Sequence, residues 1–183
     1  MNISNLKWKI KNLPKALYTT ALCIRFPFLR SRGYDDKPSY PLIQWSSWWG
    51  CIPRGWRKAF GIQLCKELKA ELKRCGYLKK YRICDVKEKF GCLNIYDWGT
   101  PKDCDVNDIL HKYEYISYRT CIECGRVAKY ITDGWICPYC EEHIGEYRKE
   151  GAQKFYRDIP WYGWTNGDYY EKHKNNDYYG EDY

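Results

Sequence analysis

Histidine and long apolar runs are what this 183-residue chain has least of, and each shortage removes a class of protein. The three histidines, His111, His143 and His173, stand far apart in sequence, and HxH, HExxH, GxSxG and Gly-rich phosphate-loop motifs are missing. Metallohydrolases, serine hydrolases and P-loop enzymes therefore lose their usual signatures. The apolar run Ala16 to Leu29 is interrupted by Arg25 and Pro27 and falls short of the roughly 20 residues that span a bilayer. It also lacks a small-x-small cleavage site, so a secretory leader is not expected. Acidic side chains are scarce in the first 100 residues, which carry a net charge of +13 against −5 for residues 101–183. An anionic partner is expected on the first part of the chain: nucleic acid, a nucleotide or an acidic protein surface.

Cysteine is abundant. Four of the 11 cysteines stand as Cys121-x2-Cys124, twelve further residues, then Cys137-x2-Cys140. Two such pairs read as knuckles whose four thiolates fill a tetrahedral zinc site, with Gly125 and Pro138 supplying turn geometry. Four sulfurs leave no open coordination position, so the expected Zn2+ is structural. The absence of a leader points to a reducing, cytoplasmic compartment, where two disulfides or a redox CxxC are the weaker readings. There the remaining Cys23, Cys51, Cys65, Cys75, Cys84, Cys92 and Cys104 are expected to act as small apolar residues.

The expected fold class is α+β: an amphipathic helix, a β-hairpin and a second helix leading into a four-cysteine zinc ribbon. Phe60, Leu64, Leu68, Leu72 and Cys75 recur at helical spacing. Lys66, Lys69, Lys73 and Arg74 fall between them, and Gly76 stands at the C-cap position. YRICDV and CLNIYDW flank KEKFG as the arms of a hairpin turning near Gly91. Asp105 is placed to cap a helix whose stripe is Val106, Ile109, Leu110, Tyr113 and Ile116, running straight into Cys121. A further helix is expected from Glu141 to about Arg157. The expected division is 1–56 (N-terminal helix and aromatic-rich loop), 57–120 (helix–hairpin–helix core), 121–157 (zinc ribbon and helix) and 158–183 (flexible Tyr/Trp-rich tail).

The candidate anion-binding residues are Arg54, Arg57, Lys58, Lys87 and Lys89. Trp45, Trp48, Trp49 and Trp56 are candidate aromatic contacts, either stacking on bases or packing in the core. The basic N-terminal segment has a membrane-surface role as its alternative to docking on the core, without membrane insertion. Asp85, Glu88 and Asp97 are the carboxylates that a hairpin can gather around a divalent ion, and catalysis is the least favoured reading, with no catalytic residue assigned.

Five blocks, RFPFL (25–29), IPRGWRKAFGIQLCKEL (52–68), VKEKFGCLNIYD (86–97), KYEYISYRTCIECG (112–125) and GWICPYC (134–140), resemble an uncharacterised family of phage and prophage proteins. In its members the KEKFG block usually continues with glycine and then Leu-Arg, where this chain has Cys92, Leu93 and Asn94. The resemblance implies a phage-encoded zinc protein of the host cytoplasm and brings no settled activity. The functions it leaves open are a non-enzymatic module binding nucleic acid or nucleotide, an inhibitor or adaptor of a host protein, including an anti-defence role, and a nuclease-like enzyme.

Overall fold

The structure, a computed structural model, describes residues 3–32, 42–98 and 100–154, together with Lys37 and Ser39. The tail expected at 158–183 lies outside the described residues. Mixed helix and two small antiparallel sheets make the architecture α+β.

Helix α1 (Ile3–Arg25) is longer than the short helix expected and stops where Pro27 opens a 3-10 turn, Pro27–Leu29. Its C-terminal half packs through Ala16, Leu22, Cys23 and then Phe26, all buried. The aromatic-rich stretch is less irregular than expected, because α2 (Trp48–Cys51) and α3 (Arg54–Trp56) form within it. From α3 the chain continues through a π turn, Arg57–Gly61, into α4 (Ile62–Arg74). Phe60, Leu64, Leu68 and Leu72 are buried as their spacing requires, and Gly76 takes the left-handed φ of +69° after the helix end.

Strands β1 (Ile83–Lys89) and β2 (Cys92–Asp97) pair antiparallel, with Lys89 opposite Cys92. The two-residue turn is Phe90-Gly91, both at positive φ, which matches the twist of a tight hairpin. The turn is fixed by the Glu88 carboxylate, which accepts the Gly91 N–H at 2.7 Å. Helix α5 (Val106–Tyr118) lies against β2 and α4 with Val106 and Tyr113 buried and Ile109, Leu110 and Ile116 against the core. Asp105 stands at its N-cap without a side-chain capping bond; its N–H instead donates to Glu71 on α4 at 2.8 Å. Glu71 also takes a two-pronged bond from Arg74, so one buried carboxylate ties the end of α4 to the start of α5.

The last unit is a three-stranded sheet, β4 (Pro138–Tyr139), β3 (Tyr130–Ile131) and β5 (Gln153–Lys154), in the order β4-β3-β5. The long helix expected after Cys140 is reduced to α6 (Glu146–Lys149). Residues 140–144 are used in a tight turn and β5 returns to pair with β3, so the chain has no length left for it.

Candidate metal centre

The first knuckle is built as its glycine predicts. Gly125 N–H bonds back to the Cys121 carbonyl (2.9 Å), and Cys121 N–H to the Arg126 carbonyl (2.7 Å). Gly125 sits at φ +82°, and a β-carbon there would come 2.5 Å from the Gly55 carbonyl oxygen, so both its conformation and its surroundings demand glycine.

The second knuckle is not the one expected. Cys121, Cys124, Cys140 and His143 place their ligand atoms all within 4.8 Å of one another, close enough to hold a metal ion. Cys124 Sγ lies 3.6 Å from Cys140 Sγ, and Cys140 Sγ lies 3.1 Å from His143 Nδ1. Cys137 stands outside this group, which corrects the four-cysteine set. Between Cys137 and Cys140 the chain runs through strand β4, paired with β3, and not through a turn that would bring the two thiols together as a knuckle. At Cys140 the chain turns sharply: its carbonyl accepts from the N–H of both His143 and Ile144, at 3.1 Å each. That turn brings His143 round as Gly125 brings Cys124. Cys137 is buried in one cluster with Cys121, Tyr130, Tyr139, Cys140 and Ile144, but its sulfur is not among the four ligand atoms that converge. Its backbone is fixed by Thr132, whose hydroxyl accepts the Cys137 N–H at 2.9 Å. The signal for His143 was present as Cys140-x2-His143, itself a knuckle spacing.

Ionic contacts join the two knuckles. Arg126, two residues past Cys124, makes a two-pronged ion pair with Glu142 between Cys140 and His143. Burial works to raise the Cys124 thiol, but hydrogen bonds from Arg126 and from the neighbouring thiols outweigh it and bring its pKa down to about 6. Burial also drives the Cys137 thiol up, helped by the nearby Glu88 carboxylate, to about 11. Burial pushes up the Cys140 thiol, within the four, as well, so it is the geometry that divides ligand from core residue.

The unit is clamped to the helices. Gly55 N–H donates to the Ile122 carbonyl at 2.8 Å, and the buried Trp56 indole donates to the Thr120 carbonyl at 2.8 Å. On another side the hairpin turn comes close to the small sheet: a β-carbon at Gly91 would lie 3.3 Å from Ile136 and 3.4 Å from Ile131 and Pro138.

A second cluster, Glu71, Cys75 and Cys104, also lies within ligand distance. Its carboxylate is already engaged by Arg74 and the Asp105 N–H, and the Arg74 bonds hold Glu71 below the usual carboxylate range. All eleven cysteines are free thiols, and burial pushes Cys65 up to about 12, as suits an apolar core residue.

The other sequence candidates separate. Trp56 and Trp49 are buried, so their rings are consumed by packing and offer no face to a ligand. Trp48 is half-buried against the core, and Trp45, also half-buried, meets Trp8 with ring centroids 5.7 Å apart. Arg54 and Lys58 are exposed and Arg57 half-buried. Helix α2, which ends at Cys51, packs against strand β1 of the hairpin. Lys87 is taken by Asp85 at 2.6 Å and lies over the Tyr96 ring, and Lys89 lies over Phe90. The three hairpin carboxylates do not converge: Asp85 pairs with Lys87, Glu88 holds Gly91, and Asp97 accepts from Thr100 at 2.9 Å.

Between β2 and α5 lies a cleft of about 250 Å3, lined by Asn94, Tyr96, Asp97, Asn107, His111 and Glu114 above Leu93, Ile95 and Leu110. Asn107, His111 and Glu114 share one face of α5 through their i, i+4, i+7 spacing. Comparison with protein-family models, curated proteins and solved structures finds no significant match. The functional reading therefore rests on the residues themselves.

Proposed function

We propose that the chain is a non-enzymatic, zinc-stabilised binding module for an anionic ligand, nucleic acid or nucleotide, encoded by a phage and working in the host cytoplasm. Three thiolates and one imidazole make a complete tetrahedral set of the kind that suits zinc, with the metal's role structural. Bound there, Zn2+ would cross-link the two knuckles through Cys121, Cys124, Cys140 and His143.

The observation that carries the ligand class is the π turn. One inserted residue sets the following helix back by about 100°. By that periodicity Arg54 and Lys58 come onto the same face as Lys66, Lys69 and Lys73. Arg54, Lys58, Lys66 and Lys73 are exposed, and Lys69 is half-buried, its ammonium on the Arg25 carbonyl at the end of α1. Among the described residues no carboxylate pairs with this row. A row of cations that no described carboxylate neutralises follows the charge spacing of a phosphate backbone.

The test is fluorescence anisotropy with a single-stranded oligonucleotide across a salt series, alongside native mass spectrometry of protein purified from cells. Affinity should fall by roughly 0.7 log units per phosphate contact per log unit of salt, and Lys66→Glu with Lys73→Glu should flatten that slope. A salt-insensitive complex, or none, would refute the reading. A host-protein adaptor is the second reading, supported by Trp98 and Trp135, which stand 75% and 79% exposed as anchors of a protein interface do before binding.

A further inference from the structure

Helix α1 has two apolar faces, and the fold uses one. Ala16, Thr19, Leu22 and Cys23 turn inward and are buried. On the opposite side Ile10, Leu13, Pro14, Leu17, Ala21 and Ile24 are exposed, with Ile10, Leu17 and Ile24 at 66%, 53% and 69%. At 3.6 residues per turn these six side chains fall within an arc of about 100°, and the row runs for about 21 Å. Trp8 and Tyr18, both more than half exposed, stand outside that arc. Lys7 and Lys9 flank it, Lys11 and Lys15 are exposed farther round the helix, Arg25 closes it, and there is no acidic residue between Ile3 and Arg25.

We propose that this outer face of α1 lies on the surface of an anionic lipid bilayer. Charge decides between the occupants. A second copy of α1 would set lysines against lysines, because the helix has no carboxylate to offer. An anionic headgroup layer matches every charge on it, and apolar side chains over a wide arc enter the acyl boundary while the lysines reach up to phosphates. Tyr18, at the side of the arc, has the amphipathic ring that settles at headgroup depth, whereas Trp8 faces the other way and packs on Trp45. The helix lies on the membrane and does not cross it: among the described residues no helix is long and apolar enough to span. This inference is independent of the anion row on α4, which lacks such an exposed apolar face.

The experiment is flotation of the full-length, metal-loaded protein with vesicles of phosphatidylcholine containing phosphatidylglycerol, and with vesicles of phosphatidylcholine alone. The expected result is partitioning to the anionic vesicles only. Leu17→Glu should lower it about tenfold or more, since a charge must then enter the acyl boundary, and each of Lys7→Gln and Lys11→Gln should lower it roughly fivefold. Ile10→Glu, farther from the buried half of the helix, repeats the test should Leu17→Glu disturb folding. Lys66→Glu with Lys73→Glu, which disables the oligonucleotide site, should leave flotation unchanged. Absence of flotation overturns the proposal, as does flotation unaffected by Leu17→Glu and Ile10→Glu, which would mean adsorption by charge alone. Self-association in sedimentation that Leu17→Glu abolishes, without flotation, would assign the face to a second copy instead.

Discussion

The amide of Gly55 donates to the carbonyl of Ile122 at 2.8 Å, joining helix α3 to the first knuckle by backbone alone. Nothing larger than hydrogen fits at Gly55: a β-carbon would lie 2.2 Å from the Cys121 oxygen and 2.6 Å from that of Ile122. Both obstacles are backbone atoms of the loop that carries Cys121 and Cys124, so neither can swing aside. The candidate metal site is thereby registered on the helical core.

Gly55→Ala should accordingly destabilise by about 2–3 kcal/mol, the cost of overpacking a contact that cannot relax. Urea unfolding measures the loss. A chelator competition should show faster metal release as well, because the Cys121–Cys124 loop must move to admit the methyl group. Unchanged stability and release would mean that α3 and the knuckle are not in contact.

The ligand set makes a sharper claim. Cys124→Ser, Cys140→Ser and His143→Ala should each lose bound zinc, with an effect on folding that reflects metal binding worth on the order of 10 kcal/mol in small zinc units. Cys137→Ala should keep one zinc per chain and lose only the packing of a buried sulfur, about 1 kcal/mol. Native mass spectrometry reads the stoichiometry. A zinc-free Cys137→Ala protein beside a loaded His143→Ala protein would restore the four-thiolate site.

Why Cys137 and not His143 was expected shows where reading residues stops. Periodicity locates helices and hairpins because it records which face is buried: Phe60, Leu64, Leu68 and Leu72 mark α4, and KEKFG marks a turn that the positive φ of Phe90 and Gly91 completes. Spacing also pointed to the cluster that could hold a metal ion, three of whose four members, Cys121, Cys124 and Cys140, it named. It could not choose between Cys137-x2-Cys140 and Cys140-x2-His143, because the choice depends on whether residues 137–140 are extended, and that is set by β4 pairing with β3. The tryptophans follow the same rule. Trp49 meets Gly61, where a β-carbon would come within 2.9 Å of its ring, and Trp56 bonds to Thr120. Both are buried by long-range contacts that leave no periodic trace. The π turn that aligns Arg54 with Lys66 is equally invisible to a 3.6-residue count.

Ser117 holds the hairpin on α5. Its hydroxyl is wholly buried, accepts the Leu93 N–H at 2.7 Å and donates to the Glu114 carbonyl at 2.6 Å. Ser117→Ala leaves a buried strand amide without its acceptor, which should cost about 1–3 kcal/mol. Amide exchange at Leu93 should accelerate more than at α4 amides. Uniform exchange across the protein would show that β2 is held by something else.

Glu114 offers a test in pH. It lines the cleft between α5 and β2, and burial raises its pKa from 4.5 to about 7, with no charged partner among the described residues offsetting the cost. Between those two values the unfolded chain has released the proton and the folded chain keeps it. The folded state then binds more protons, so this group's contribution to stability declines as pH rises through the window and is flat on either side. His111, Asp97 and Tyr96 line the same cleft, and Lys87 lies over the Tyr96 ring but is held by Asp85. Glu114→Gln removes the titration while keeping the shape. The variant should therefore gain on the native protein between about pH 5 and about pH 8, and the difference in urea midpoint at the two values measures it. In the native protein the Glu114 carboxyl carbon should titrate near 7 by NMR. A carboxyl that titrates in the ordinary range, with a variant whose stability tracks the native protein at both pH values, would show that the cleft is open to water and that Glu114 is not desolvated.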